Sequence, residues 1–126
     1  MRVVDTSAWI EWMLDSSIGQ NVARELPPND QWVVPTIVQY ELARWLMREK
    51  SDAAAASTIA FTTELVVKPL DTVLATKAAD YAHKHGLAMA DSIIYATAMD
   101  TGADLLTCDQ HFAELPRVVY FAKAPR

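Results

Sequence analysis

The chain has 126 residues, is 52% hydrophobic and 21% charged, and carries a net charge of −5. That length fits a single domain spanning 1–126 and is enough to bury roughly two-thirds of the unfolded surface, so a core forms without staples, and the hydrophobic content excludes disorder. Sixteen acids against eleven bases exclude nucleic-acid binding by bulk positive charge, though not an approach to nucleic acid through bound metal.

The single cysteine, Cys108, forms neither an internal disulfide nor a multi-thiolate zinc site, and fits a reducing, cytoplasmic setting. No apolar run reaches the roughly 18 residues of a membrane span. Arg2 leads straight into Val3-Val4-Asp5, without the apolar run of a signal peptide. A protein with no membrane association is expected.

In chain order, Arg2 to Val4 predicts a buried strand, followed by a polar turn and a helix capped by Thr6 or Ser7 that carries Ala8, Trp9, Ile10, Trp12, Met13 and Leu14. Ser16-Ser17 starts a second helix that ends at Pro27-Pro28. Gln31 to Val34 predicts a second strand closed by Pro35, with Thr36 capping a helix from Ile37 to Glu49. The alanine-rich stretch from about Ala53 to Thr63 favours helix intrinsically, and Leu65-Val66-Val67 predicts a third strand ended by Lys68-Pro69. Asp71 caps a helix to His85, stopped by Gly86, and a further helix runs from about Ala90 to Asp100 before Gly102. Asp104 to Thr107 predicts a fourth strand, and Val118 to Tyr120 a fifth at an edge. Short β-rich runs alternating with helices imply an α/β fold, with βαβ units and a parallel sheet covered on both faces. Ligands of such sheets bind at the carboxyl ends of the strands.

Two carboxylates follow strands directly. Asp5 closes the first strand, and Asp109 follows Leu105-Leu106-Thr107-Cys108. Each has a capping role as its alternative, Asp109 for the turn Gln110 to Glu114. Bare carboxylates on one rim repel and raise each other's pKa, so such a pair is tolerable around a cation. Glu41 lies among the apolar Ile37, Val38, Leu42, Trp45 and Leu46, where an unpaired carboxylate is costly; a helical pair with Arg44 is its alternative. Asp91 opens an otherwise apolar helix, where the dipole favours an anion; its alternative is an N-cap. Hard divalent cations take oxygen ligands of this kind and stabilise in-line phosphoryl displacement.

These residues carry a resemblance. The blocks Val3-Val4-Asp5-Thr6-Ser7, Val33-Val34-Pro35 leading to Glu41, Ala90-Asp91-Ser92-Ile93-Ile94 and Leu105-Leu106-Thr107-Cys108-Asp109 occur in an order that resembles the PIN-domain ribonucleases, and most closely the VapC-type toxins of toxin–antitoxin pairs. The stretch from Gly86 to Asp109 is the most specific, with Asp91 and Asp109 18 residues apart. The resemblance implies a PIN-like three-layer fold with a mostly parallel sheet of four to five strands. It implies an acidic pocket of Asp5, Glu41, Asp91 and Asp109 holding Mg²⁺ or Mn²⁺, with hydroxyls from Thr6 or Ser7 and from Thr107 orienting carboxylates or a water. It implies endonucleolytic cleavage of RNA by metal-activated water. It also implies a homodimer held inactive by a small antitoxin whose C-terminal segment covers the pocket, with Trp9, Trp12, Trp45 and Met47 as candidates to line the groove, although at least half of them are expected in the core. Cys108 departs from relatives that often carry a basic or polar residue there.

Other residues carry less. His83, Lys84 and His85 suit a helix C-terminus. His111 is expected as a surface histidine after a turn, with an approach to phosphate as its alternative. Arg44, Arg48 and Lys50 are either phosphate-positioning contacts or a solvated face, and Arg117, Lys123 and Arg126 give the carboxyl end a basic lean. Two other readings compete with a nuclease: a receiver-like signalling domain, suggested by Lys68-Pro69 but lacking adjacent acids after the first strand, and a catalytically silent binding domain.

Overall fold

The computed structural model describes residues 1–123; Arg126, placed above in the basic carboxyl end, lies outside them. Strand β1 (Arg2–Val4) leads into helices α1 (Thr6–Met13) and α2 (Ser17–Glu25), then a short 3-10 turn, Asn29–Gln31, and β2 (Trp32–Pro35). Helices α3 (Thr36–Glu49) and α4 (Asp52–Thr62) precede β3 (Val66–Lys68), and α5 (Thr72–His85) and α6 (Met89–Asp100) precede β4 (Asp104–Thr107). A second 3-10 turn, Gln110–Phe112, leads to β5 (Val118–Tyr120).

The strands form one sheet in the order β3-β2-β1-β4-β5, and every pairing is parallel. The chain builds outward from β1 through β2 to β3, then returns to lay β4 on the other side of β1. The order therefore reverses between β1 and β4. In open parallel sheets the crevice at that reversal, beyond the carboxyl ends of the strands, is where ligands bind.

Val3 and Val4 point to opposite faces of the sheet, as successive strand residues must, and both are fully buried, as are Val33, Val34, Leu105 and Leu106. Both faces are therefore covered, which gives three layers and explains why these strands are unbroken apolar runs rather than alternating ones. The helices pack as neighbours α1–α2, α3–α4 and α5–α6, and α6 lies against β1, β2 and β4. Ser92 through Ala98 are all buried, so α6 is enclosed on all sides, as its apolar sequence predicts.

Capping follows the predicted chemistry at Ser16 and Asp71, whose side chains accept from the Gly19 and Leu74 backbone N–H groups, and at Gly86, which ends α5 in the left-handed conformation at φ 65°. It differs at two helix starts. Pro35, not Thr36, holds the N-cap position of α3, and Asp5, not Thr6 or Ser7, holds that of α1. In both cases the helix begins with no turn after the strand, so the last extended residue becomes the cap position. The hydroxyls of Thr6 and Ser7 are released for other bonds.

Trp9 and Trp32 are buried, with ring centroids 4.8 Å apart, and Trp12 and Phe61 close the same aromatic cluster. Trp9 is thus a core residue that ties α1 to β2 and α4, and it does not line a groove. Trp12 and Trp45 are half-buried and Met47 is exposed.

Gly19 is a close-approach position that hydrophobic periodicity does not reveal. A Cβ there would lie 2.0 Å from the Glu11 carbonyl oxygen, which is backbone and has no rotamer to yield. Alanine favours helix over glycine by about 1 kcal/mol, but overpacking of this kind typically costs about 1–3 kcal/mol. Gly19→Ala is expected to lower the melting temperature by several degrees; an unchanged or raised melting temperature would show that α1 and α2 separate freely.

Candidate active site

The site is assembled at the sheet reversal. Asp5 leaves β1 in extended conformation (φ −67°, ψ 154°), and its backbone N–H donates to the Leu106 carbonyl at 2.9 Å, which fixes it beside the end of β4. Its side chain makes no capping bond. Instead Ser7 Oγ and Thr107 Oγ1 donate to the same oxygen, Oδ2, at 2.6 and 2.8 Å. Each hydroxyl is aimed by a second bond: Ser7 Oγ accepts from the Cys108 N–H at 3.0 Å, and Thr107 Oγ1 from the Asp109 N–H at 2.9 Å. With those lone pairs occupied by backbone donors, both hydroxyl protons turn toward Asp5. Oδ1 takes neither of these two bonds.

Glu41 is half-buried on α3, and Thr6 Oγ1 donates to its Oε1 at 2.7 Å. The resemblance left Thr6 or Ser7 open as the orienting hydroxyl. In this structure the two divide the work, Thr6 on Glu41 and Ser7 on Asp5. Arg44, the alternative partner of Glu41, is exposed. Asp91 is the third residue of α6 and half-buried; Ala88 holds the N-cap position, so Asp91 is not the cap. Asp109 does cap the turn Gln110–Phe112, its Oδ1 accepting from the His111 N–H at 2.9 Å. Capping and membership of the acidic group coexist there.

The carboxylates sense one another. Burial is the main cause that pushes Asp5 up to about 6, against the two hydroxyl bonds that lower it, and Asp91 and Asp109 push it further. Asp91 is raised first by burial, then by Asp109, with Glu41 adding to it and His111 opposing. Among the described residues no Lys or Arg pairs with any of the four acids. The amino edge of the sheet is the contrast: there Arg2 forks onto Asp104 at 2.7 and 2.9 Å and reaches Glu25 at 2.9 Å.

The basic side chain that does approach is His111, which the sequence alone suggests is a surface residue. It is exposed, but its Nδ1 lies 3.1 Å from Asp109 Oδ1 and 3.4 Å from Asp91 Oδ2. One ligand atom from each of Asp91, Asp109 and His111 falls within 4.8 Å of the others. The signal was its place two residues beyond Asp109, but only the turn that carries it back over the start of α6 gives that spacing meaning. His111 also divides two small clefts, one with Cys108, Asp109, Tyr120 and Lys123 and the other with His85, Leu87 and Asp91.

Asp91, Asp109 and His111 thus bring donor atoms together at the sheet reversal, while Asp5, held by two aimed hydroxyls, and Glu41 lie near enough for Asp5 to feel Asp91 and Asp109 and for Asp91 to feel Glu41. That donor set fits a hard divalent cation. It also predicts a stability signature. A buried carboxylate raised from 3.8 to about 6 favours the folded state most at low pH, and that contribution is lost as pH rises through 6. For Asp5 alone the loss amounts to about 3 kcal/mol. In chelator, Asp5→Asn is therefore expected to melt higher than the parent at pH 7, with the difference shrinking toward pH 4. A variant that melts no higher at pH 7 would mean that Asp5 is not under strain.

The PIN domain family model matches residues 2–118. A comparison with curated proteins finds no match. Among solved structures, the chain is similar to a toxin–antitoxin complex from Klebsiella pneumoniae at 20% identity and a TM-score of 0.78, covering 94% of this chain and 96% of that one. It is also similar to the sarcin–ricin-loop-cleaving toxin of Mycobacterium tuberculosis at 20% identity and a TM-score of 0.76, over 94% and 97% of the two chains. A third is the FitAcB structure from Neisseria gonorrhoeae, at 21% identity and a TM-score of 0.72, over 96% of each chain. At these identities the likeness establishes the fold. The family match covers nearly the whole chain, and the protein belongs to the PIN domain family.

Proposed function

We propose that the chain is a metal-dependent endoribonuclease acting as the toxin of a toxin–antitoxin pair. The observation that carries this reading is the set of carboxylates at the sheet reversal, unpaired by Lys or Arg among the described residues, of which Asp5 and Asp91 are raised in pKa by burial and by neighbouring acids. Family membership and the toxins among the similar structures support it.

Asp5, Asp91, Asp109 and Glu41 would hold Mg²⁺ or Mn²⁺. When bound, such an ion lowers the pKa of a water and offsets charge gathering on a phosphate. The chain's own residues do the positioning. Ser7 and Thr107 fix Asp5, Thr6 fixes Glu41, and the Asp109 cap fixes the turn that overhangs α6. Held this way, the oxygens are set before substrate arrives, and little reorganisation is left for the reaction itself.

A small antitoxin with a C-terminal segment over the pocket, a homodimer and a cytoplasmic setting complete the proposal. No helix among the described residues is long and apolar enough to cross a membrane. The receiver-like alternative falls with the family assignment. The silent-binding alternative is separated by the assay below.

Purified protein with Mg²⁺ or Mn²⁺ is expected to cut RNA and to stop in EDTA. Asp5→Asn and Asp91→Asn each lower the rate at least about a hundredfold. Thr107→Val, which removes one hydroxyl that aims Asp5, lowers it by about 10–100-fold. Equal cutting in EDTA would sink the metal mechanism, and no cutting by the parent under any metal would favour the silent domain. Binding of an uncleavable RNA is expected to weaken sharply in chelator; tight metal-free binding would contradict the assignment of the acids to a metal pocket.

A further inference from the structure

We infer that His111 is a ligand of the pocket's cation through Nδ1, and that it biases the pocket from Mg²⁺ toward first-row transition ions such as Mn²⁺. The inference rests on the metal-dependent reading above and adds to it a donor and a selectivity.

Three observations point the same way. The first is spacing. Donors about 2.1 Å from an octahedral ion sit about 3.0 Å apart when adjacent, and about 3.4 Å apart around a tetrahedral one. His111 Nδ1 stands 3.1 and 3.4 Å from oxygens of two different acids. The second is support. Phe112, the next residue, is fully buried, and the His111 N–H is held by Asp109 Oδ1. The backbone beneath the imidazole is therefore anchored on both sides although the ring itself is 66% exposed. The third is convergence: one donor atom from each of Asp91, Asp109 and His111 lies within 4.8 Å of the others, and among the described residues no Lys or Arg pairs with these acids.

The donor type sets the selectivity. Mg²⁺ is bound through oxygen and gives up water reluctantly, whereas imidazole nitrogen suits first-row transition ions. Two carboxylates and one imidazole form a mixed set that discriminates against Mg²⁺, while Asp5 and Glu41 supply charge that any divalent ion accepts.

His111→Ala removes the ring but keeps the backbone N–H that Asp109 caps, so the turn is retained, as circular dichroism and melting can verify. Calorimetric titration with Mn²⁺ and with Mg²⁺ is expected to show the Mn²⁺-to-Mg²⁺ affinity ratio falling about tenfold in the variant. Electron spin-echo spectroscopy of the Mn²⁺-loaded parent is expected to show a coordinated nitrogen that the loaded variant lacks. If Mn²⁺ binds both proteins with one affinity ratio and no nitrogen coupling, His111 is only a counter-charge and the inference falls while the metal pocket stands. If Mn²⁺ binds neither protein, both fall.

Discussion

A parallel sheet whose strand order reverses at its centre has one edge where two strands end side by side with no helix between them. In this chain that edge lies between β1 and β4, and every element of the site is tied to it. The Asp5 N–H bonds the Leu106 carbonyl there, Thr107 reaches across to the Asp5 carboxylate, and the N–H groups of Cys108 and Asp109 return to the hydroxyls of Ser7 and Thr107. The sheet ladder is thus continued past its last residues by side chains. What would otherwise be unsatisfied backbone donors at the ends of two strands become the groups that aim the hydroxyls, and the hydroxyls aim the carboxylate.

The same constraint explains why burial is tolerated. Asp5 is almost fully enclosed, and burial alone would favour its neutral form. Two O–H donors on one oxygen oppose that. Neighbouring acids work in the opposite direction, so the free site is held in tension between solvation it lacks and hydrogen bonds it has. A buried carboxylate of this kind costs stability at neutral pH, and strongly perturbed carboxylates in a cleft mark a candidate functional site.

Much of the fold was legible because local chemistry decided it. Apolar β-branched runs could only be buried strands, Ser16 and Asp71 had free N–H groups ahead of them, and Gly86 stood where a left-handed residue ends a helix. Asp5, Asp91 and Asp109 stood out as candidates because strand ends and helix starts are recognisable in one dimension, and Glu41 because it is a carboxylate among apolar neighbours inside α3. The remainder depended on contacts distant in sequence. Gly19 is glycine because α2 passes directly over the Glu11 carbonyl, and no pattern within α2 records that. Pro35 displaced Thr36 as the cap position because the strand runs into the helix without a turn. His111 was underestimated because a histidine after a turn is ordinarily solvated. Its role follows from the path of the turn, which brings residue 111 within reach of an acid 20 positions earlier in the chain.

The net charge can now be placed rather than averaged. At the amino edge of the sheet, Asp104 and Glu25 are neutralised together by Arg2, and these acids lock the first strand to the fourth and to α2. At the carboxyl edge, the four acids have no Lys or Arg partner among the described residues, and a histidine stands beside two of them. Set aside, those four account for most of the chain's −5. An acidic sequence therefore does not mean an evenly acidic surface, because on the proposed reading four of its acids are assigned to one site, where clustered charge of one sign attracts a cation. On the proposed reading, the charge that excludes RNA from the empty pocket is the charge that recruits the ion. Substrate selection is left to the flanking clefts and to the exposed Arg44, Arg48 and Lys50 of α3 and its end.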